Sequence, residues 1–225
     1  MSELLEKIRS RGHWTVRIIP ATAEVRMDRL GDLEEAVRSC AVRLRGWDFP
    51  HFDNHTAPLR GGGYVEQGID WSGFVEFWRA YRSGQFFSFF GIYSDWEGYA
   101  AGITGQEHGS SRRLSVEDTI LRLAEIYLFA SRWASKLHFQ GAVGIKCELA
   151  GLAGRVLHLQ PRRRGFLRNM TSQEDSWEFE QQYELEKLLL TPRDLAAVPA
   201  IQLLEIFGLD LSESTVRDIQ SELRT

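Results

Sequence analysis

His51, Asp53 and His55 stand two apart in PHFDNH, a spacing that projects all three side chains to one side of an extended chain. Two imidazoles and a carboxylate so placed suit a divalent metal, as in a metal-dependent hydrolase, or a histidine oriented by a carboxylate for proton transfer. The competing expectation is a polar loop in which Asp53 and Asn54 make a turn and the histidines are satisfied locally. A second group is PRRRGFLR, where Arg162, Arg163, Arg164 and Arg168 flank Phe166. Guanidinium forks match phosphate oxygens and the ring could stack on an exposed base, so this loop is the candidate for nucleic-acid or nucleotide binding. Arg43 and Arg45, on one side of an expected strand, would extend that patch. Against it stands the acidic run 174–186, whose carboxylates could simply balance a solvated basic loop.

Weaker signals complete the chemistry. The tail GLDLSESTVRDIQSELR has the outline of a helix-turn-helix with Ser214, Thr215 and Arg217 on its second helix. That helix also carries Glu213, Asp218 and Glu222, which would meet phosphates badly. RGGG at 60–63 lacks the spacing of a phosphate loop or a dinucleotide fold, and neither GxSxG nor HExxH occurs. Glu66, Asp70, Asp95 and Glu107 could converge near the aromatic centre, but carboxylates so far apart in the chain specify nothing by themselves.

The elements that must position these residues gather around 71–96, WSGFVEFWRAYRSGQFFSFFGIYSDW, which holds eleven aromatic residues. A segment this rich in large apolar side chains must be covered by other elements. Phe74, Phe77, Trp78 and Tyr81 recur at i, i+3, i+4 and i+7, which predicts a short amphipathic helix with Glu76, Arg79 and Arg82 outward. QFFSFFGIY then reads as a strand buried on both faces, and the alternative is one long hairpin turning at Ser83-Gly84. Before this centre the pattern predicts a helix over 2–11 capped by Ser2, a strand over 14–20, a helix over 28–39, a strand at AVRLRGW, a loop over 47–63 and a strand over 64–71.

After it, GYAAGITGQEHGSSRR has loop composition. Ser115, with Asp118 three residues on, opens a helix running to about Leu137 that is apolar enough to be largely buried. Strands at 142–149 and 154–160 are expected to form a hairpin about Ala150-Gly151-Leu152-Ala153. A further strand with an acidic outer face is expected over 177–186, with a helix as its alternative. Thr191-Pro192 starts a helix that Pro199 could kink, and a last helix follows Ser212.

The bulk numbers exclude several classes. A formal charge of -4 and a pI near 5.9 give no global attraction to nucleic acid, so such binding would need a local patch. Cys40 and Cys147 lie far apart without CxxC or Cys/His spacing, which suits reduced, buried thiols and a cytoplasmic protein. No signal peptide and no membrane-spanning run is present, so no membrane partner is expected.

LRGWDFPHFD (44–53), FWRAYRSGQFFSFF (77–90) and SDW (94–96) together resemble a set of mostly uncharacterised bacterial proteins. Some of that set are joined to Schlafen-type AlbA domains, which are associated with nucleic acids and ATP binding. The resemblance covers 14–137, and its motifs are aromatic and structural. No AlbA domain is visible in the sequence, so neither of its activities is carried to any residue. The resemblance implies a bacterial, cytoplasmic accessory module linked to stress or phage defence.

The expected fold is α+β: a mixed or antiparallel sheet packed on the helix after Ser115, with a core domain over 1–190 and a C-terminal helical appendage over 191–225. The leading expectation for function is a non-enzymatic binding or sensor module for a protein partner or small ligand, without a cofactor and with homo-oligomerisation left open. The alternatives are nucleic-acid or nucleotide binding through the arginine loop and metal-dependent hydrolysis at His51, Asp53 and His55.

Overall fold

A computed structural model describes residues 1–22, 27–96, 112–159 and 170–222. The fold is α+β, and its centre is a seven-stranded sheet of order β11-β9-β1-β7-β6-β5-β4 in which every neighbouring pair is antiparallel. The strands are β1 (His13–Pro20), β4 (Leu59–Arg60), β5 (Tyr64–Trp71), β6 (Phe74–Tyr81), β7 (Phe86–Gly91), β9 (Ala142–Ala150) and β11 (Ser176–Glu184). Two short pairs lie beside the sheet: β2 (Val42–Arg43) with β3 (Asp48–Phe49), antiparallel, and β8 (Arg113–Ser115) with β10 (Val156–His158), parallel.

One face of the sheet is covered by α3 (Val116–Lys136) and by α2 (Leu30–Cys40). Ser115 caps α3, its hydroxyl accepting from the Asp118 amide at 3.2 Å. Tyr127, Phe129 and Trp133 of α3 are fully buried, each worth about 1.5–3 kcal/mol in apolar burial alone. Beyond α3 lie α4 (Leu185–Leu190), α5 (Pro192–Glu205) and α6 (Glu213–Ser221). Leu195, Leu203, Leu204, Val216 and Ile219 belong to the same continuous core as the sheet, and Pro199 sits inside α5 without ending it.

Among the described residues, the opposite face is covered in part. α1 (Ser2–Arg9) packs over β6 and β7, where Ile8, Val75, Phe77, Phe89 and Trp96 form a second, small cluster. Its N-cap is Met1, with no side-chain capping bond, and not Ser2. Under β9 and β11 this face is polar: Lys146 is ringed by Glu148, Glu178 and Glu180, which is the acidic outer face expected of the 177–186 strand.

The expected helix over 74–81 is a strand. β6 pairs along its length with β5, and β7 returns from a turn at Ser83-Gly84, so the hairpin alternative describes this segment. The reason is coverage from both sides: Phe77 enters the small cluster while Trp78 and Ala80 enter the large one. Such a strand shows no clean alternation, and its β-favouring aromatics match a helical period by coincidence. Gly84 makes the turn at φ +83°, where a Cβ would lie 2.6 Å from the Phe139 ring. The expected hairpin of 142–149 with 154–160 is also corrected, because β10 pairs with β8 and β9 pairs with β1 and β11. AVRLRGW contributes only the two residues of β2 to any ladder, outside the main sheet.

Among the described residues, no helix is long and apolar enough to cross a membrane.

Candidate ligand cavity

A cavity of about 380 Å³ opens where the end of β7 meets the β8–β10 pair and the first turns of α3. Its walls are held by a buried ion pair that ties four segments together. Arg155, fully buried just before β10, meets Asp95 bidentately, Nη1 to Oδ1 and Nη2 to Oδ2 both at 2.7 Å. Arg155 Nη1 also donates to the Arg113 carbonyl at 3.0 Å, and the Gly12 amide donates to Asp95 Oδ2 at 3.0 Å. At Gly12 a Cβ would lie 2.3 Å from Arg155 Nη2, so only glycine admits this approach. Asp95 belongs to the 3-10 turn Tyr93–Asp95, and the pair therefore fixes β1, that turn, β8 and β10 about the cavity.

Part of the lining is apolar, made by Trp14, Phe90, Ile92 and Leu114, with Trp14 stacked on Phe90 at 6.2 Å. The lining also carries Arg45, Arg113, Arg122, Asp118 and the exposed His158. Beneath it lies Glu125, whose side chain is fully buried. Glu125 Oε1 accepts from the Leu44 amide at 2.9 Å, and Oε2 meets Arg45 at 3.0 Å and Arg122 Nη1 at 3.5 Å. Arg122, only 7% exposed, lies over the Phe90 ring at 4.4 Å and makes no hydrogen bond to a described residue. Burial, followed by the charge of Arg45, lowers its pKa to about 10, so it stays charged at neutral pH.

Glu76 lies deeper, fully buried, within the field of Arg122. Its Oε1 accepts from the His51 amide at 3.3 Å and from Ser88 Oγ at 3.4 Å, while Oε2 has no partner among the described residues. Burial pushes its pKa up to about 7 against the pull of Arg122.

The residues singled out from sequence are dispersed. Asp53 closes a local turn, accepting from the His55 amide at 2.9 Å and Thr56 Oγ1 at 2.8 Å, which holds its carboxyl below the usual range. His51 is enclosed by Trp47, Trp71 and Phe74, with both ring nitrogens buried and unpartnered among the described residues. Burial lowers its pKa, so the ring is neutral. Among the described residues, no three His, Cys, Asp or Glu side chains are arranged to hold a metal ion.

Arg43 and Arg45 do not form one patch. Arg43 is exposed and paired bidentately with Asp48, Nε to Oδ1 at 2.9 Å and Nη2 to Oδ2 at 3.1 Å, whereas Arg45 turns in to Glu125. Arg162, Arg163, Arg164 and Arg168 lie outside the described residues, as does Glu107. The remaining carboxylates do not converge: Glu66 pairs with Arg79, Asp70 with Lys7 and Asp95 with Arg155. In the tail, Arg217 pairs with Asp194 of α5 at 2.9 Å and with Glu213 at 3.1 Å, so its charge is already balanced.

Sequence reasoning missed Arg122, Glu125 and Arg155, and placed Glu76 on an outer face. One signal was present for the first two: in a helix apolar around nearly its whole circumference, charges at i and i+3 must be buried together. No family model matches the chain, and neither any curated protein nor any solved structure does.

Proposed function

We propose that this protein is a non-enzymatic binding module that takes a small ligand in the cavity at the N-terminal end of α3. The observation that carries this reading is the pre-formed cavity itself, whose volume of about 380 Å³ lies within the range of small-molecule sites. It combines an apolar wall with a few converging polar groups, the composition that orients a small molecule. The absence of turnover is argued from the hydroxyls on its wall. Ser115 Oγ accepts from the Asp118 amide and donates to Glu117 Oε2 at 3.4 Å, and Thr119 Oγ1 donates to the Ser115 carbonyl at 2.7 Å. The Ser115–Glu117 contact is long and joins two residues of the same helix cap, and among the described residues neither hydroxyl bonds a histidine or lysine that could act as its base. Both thiols are buried, and burial pushes the Cys147 thiol up to about 12, far from a reactive thiolate.

The test is a fragment library screened by thermal shift against wild type and Ser94→Trp. Ser94 lies on the cavity wall with an exposed side chain, so the indole fills the space without entering the core. Compounds that raise the wild-type melting temperature should lose their effect in the variant, whose own melting temperature stays within a few degrees of wild type. A library without hits, or hits indifferent to Ser94→Trp, contradicts the proposal.

A further inference from the structure

We infer that the cavity takes an amphipathic organic anion, with a single oxyanion head on the Arg122 guanidinium and an apolar body along Trp14, Phe90, Ile92 and Leu114. The inference rests on reading the cavity as a small-ligand site and adds the chemistry of what enters it.

The charges argue first. Arg45 and Arg122 share one oxygen of Glu125, and the other oxygen is occupied by the Leu44 amide. Two cations thus divide one carboxylate, and a positive charge is left over at the cavity wall. Glu76 does not cancel it in full, because burial keeps that carboxyl partly protonated near neutral pH.

The hydrogen-bond inventory argues independently. A guanidinium has five N–H donors, and buried donors in native proteins are almost always matched. Arg122 is 7% exposed, its contact with Glu125 is 3.5 Å long, and none of its donors bonds a described residue, so they open onto the cavity. The guanidinium carbon lies over the Phe90 ring at 4.4 Å and over the Phe49 ring at 5.5 Å, and the two rings hold the group in place at the cavity wall. An oxyanion supplies acceptors of opposite charge in the geometry the fork requires, and carboxylate and phosphate share that chemistry. The helix end is not the recognition element, because Ser115 already caps it and Thr119 bonds back to the Ser115 carbonyl. Asp118 on the same wall repels a second anionic group, hence the single head. The apolar part of the lining, four residues each at most 6% exposed, offers nothing to a bare inorganic ion and a contact to a hydrocarbon or aromatic body beside Arg122.

The experiment is NMR titration of the full chain with phenylacetate, phenyl phosphate, inorganic phosphate and the neutral phenylacetamide, in wild type and Arg122→Gln. Both phenyl anions should bind at least tenfold more tightly than phenylacetamide and than inorganic phosphate, and Arg122→Gln should abolish the preference for charge. The tighter of the two anions assigns the head as carboxylate or phosphate. Should Arg122→Gln fail to fold, the wild-type ratio of anion to amide decides alone. Equal binding of amide and anions overturns the charge while leaving a small-ligand site. Inorganic phosphate binding as tightly as phenyl phosphate overturns the apolar body. If none of these probes binds while library fragments do, the anion inference fails alone; if nothing in either set binds, the small-ligand reading fails with it.

Discussion

At Glu76 burial removes the carboxylate from water, while Arg122, the His51 amide and Ser88 draw it back towards ionisation, and burial wins, pushing its pKa up to about 7. The folded protein therefore holds this proton more tightly than the unfolded chain, in which the group titrates near its ordinary 4.5. Stability from Glu76 is fully present below that value and is lost as pH rises towards about 7, at a limiting slope of about 1.4 kcal/mol per pH unit. His51 works in the opposite sense. Burial lowers its pKa, so its contribution is present above the ordinary imidazole value and is lost as pH falls below it. Glu76→Gln keeps an acceptor for the His51 amide and removes the titration. Urea denaturation of both proteins between pH 5 and 7.5 should show the variant gaining on wild type as pH rises, and a pH-independent difference would contradict the assignment. None of this was legible in the sequence, where Glu76 falls on the outer face of an apparent helix. The carboxylate is buried because this side of β6, with Trp78 and Ala80, faces the large core, where Glu76 lies within the field of Arg122 from α3, a long-range arrangement that no local period encodes.

The Arg155–Asp95 pair acts on elements, since it joins the loop before β1, the turn after β7 and the β8–β10 ladder. Removing one partner of a buried pair strands the other, so Arg155→Ala should cost about 3–5 kcal/mol in chemical denaturation. The double change Arg155→Met with Asp95→Asn should recover much of that cost, because no charge is left unpaired. A loss below about 1 kcal/mol for the single variant would show that the pair is not what holds these segments. Elements whose cause is local were readable in advance. β5 lies where the strand over 64–71 is expected, α3 starts at the Ser115 cap, and β11 keeps its glutamates outward. The β9–β10 hairpin was misread because Gly151 and Gly154, both at positive φ, turn the chain towards β8, a partner that sequence adjacency does not suggest.

At the scale of the molecule, an antiparallel sheet is closed on one face by α2 and α3, and on the other, among the described residues, α1 covers β6 and β7. That asymmetry explains which parts of the chain could be read. Strands covered on one face alternate and announce themselves, whereas strands covered on both do not. It also explains why the cavity was invisible: its residues come from the start of β1, the segment after β2, the end of β7, the continuous β8–α3 segment and β10, stretches far apart in the chain. The His51, Asp53, His55 set was legible as a motif, but the fold spends Asp53 on a turn and encloses His51 in aromatic rings. The central claim is that the protein binds a small ligand where these segments meet. It is tested most directly by mapping backbone amide shifts during titration with the tightest fragment found. The perturbations should cluster at Ile92, Ser94, Leu114, Thr119 and Arg122. Perturbations centred elsewhere, for instance on Trp47 and His51, or none at saturating ligand, would contradict it.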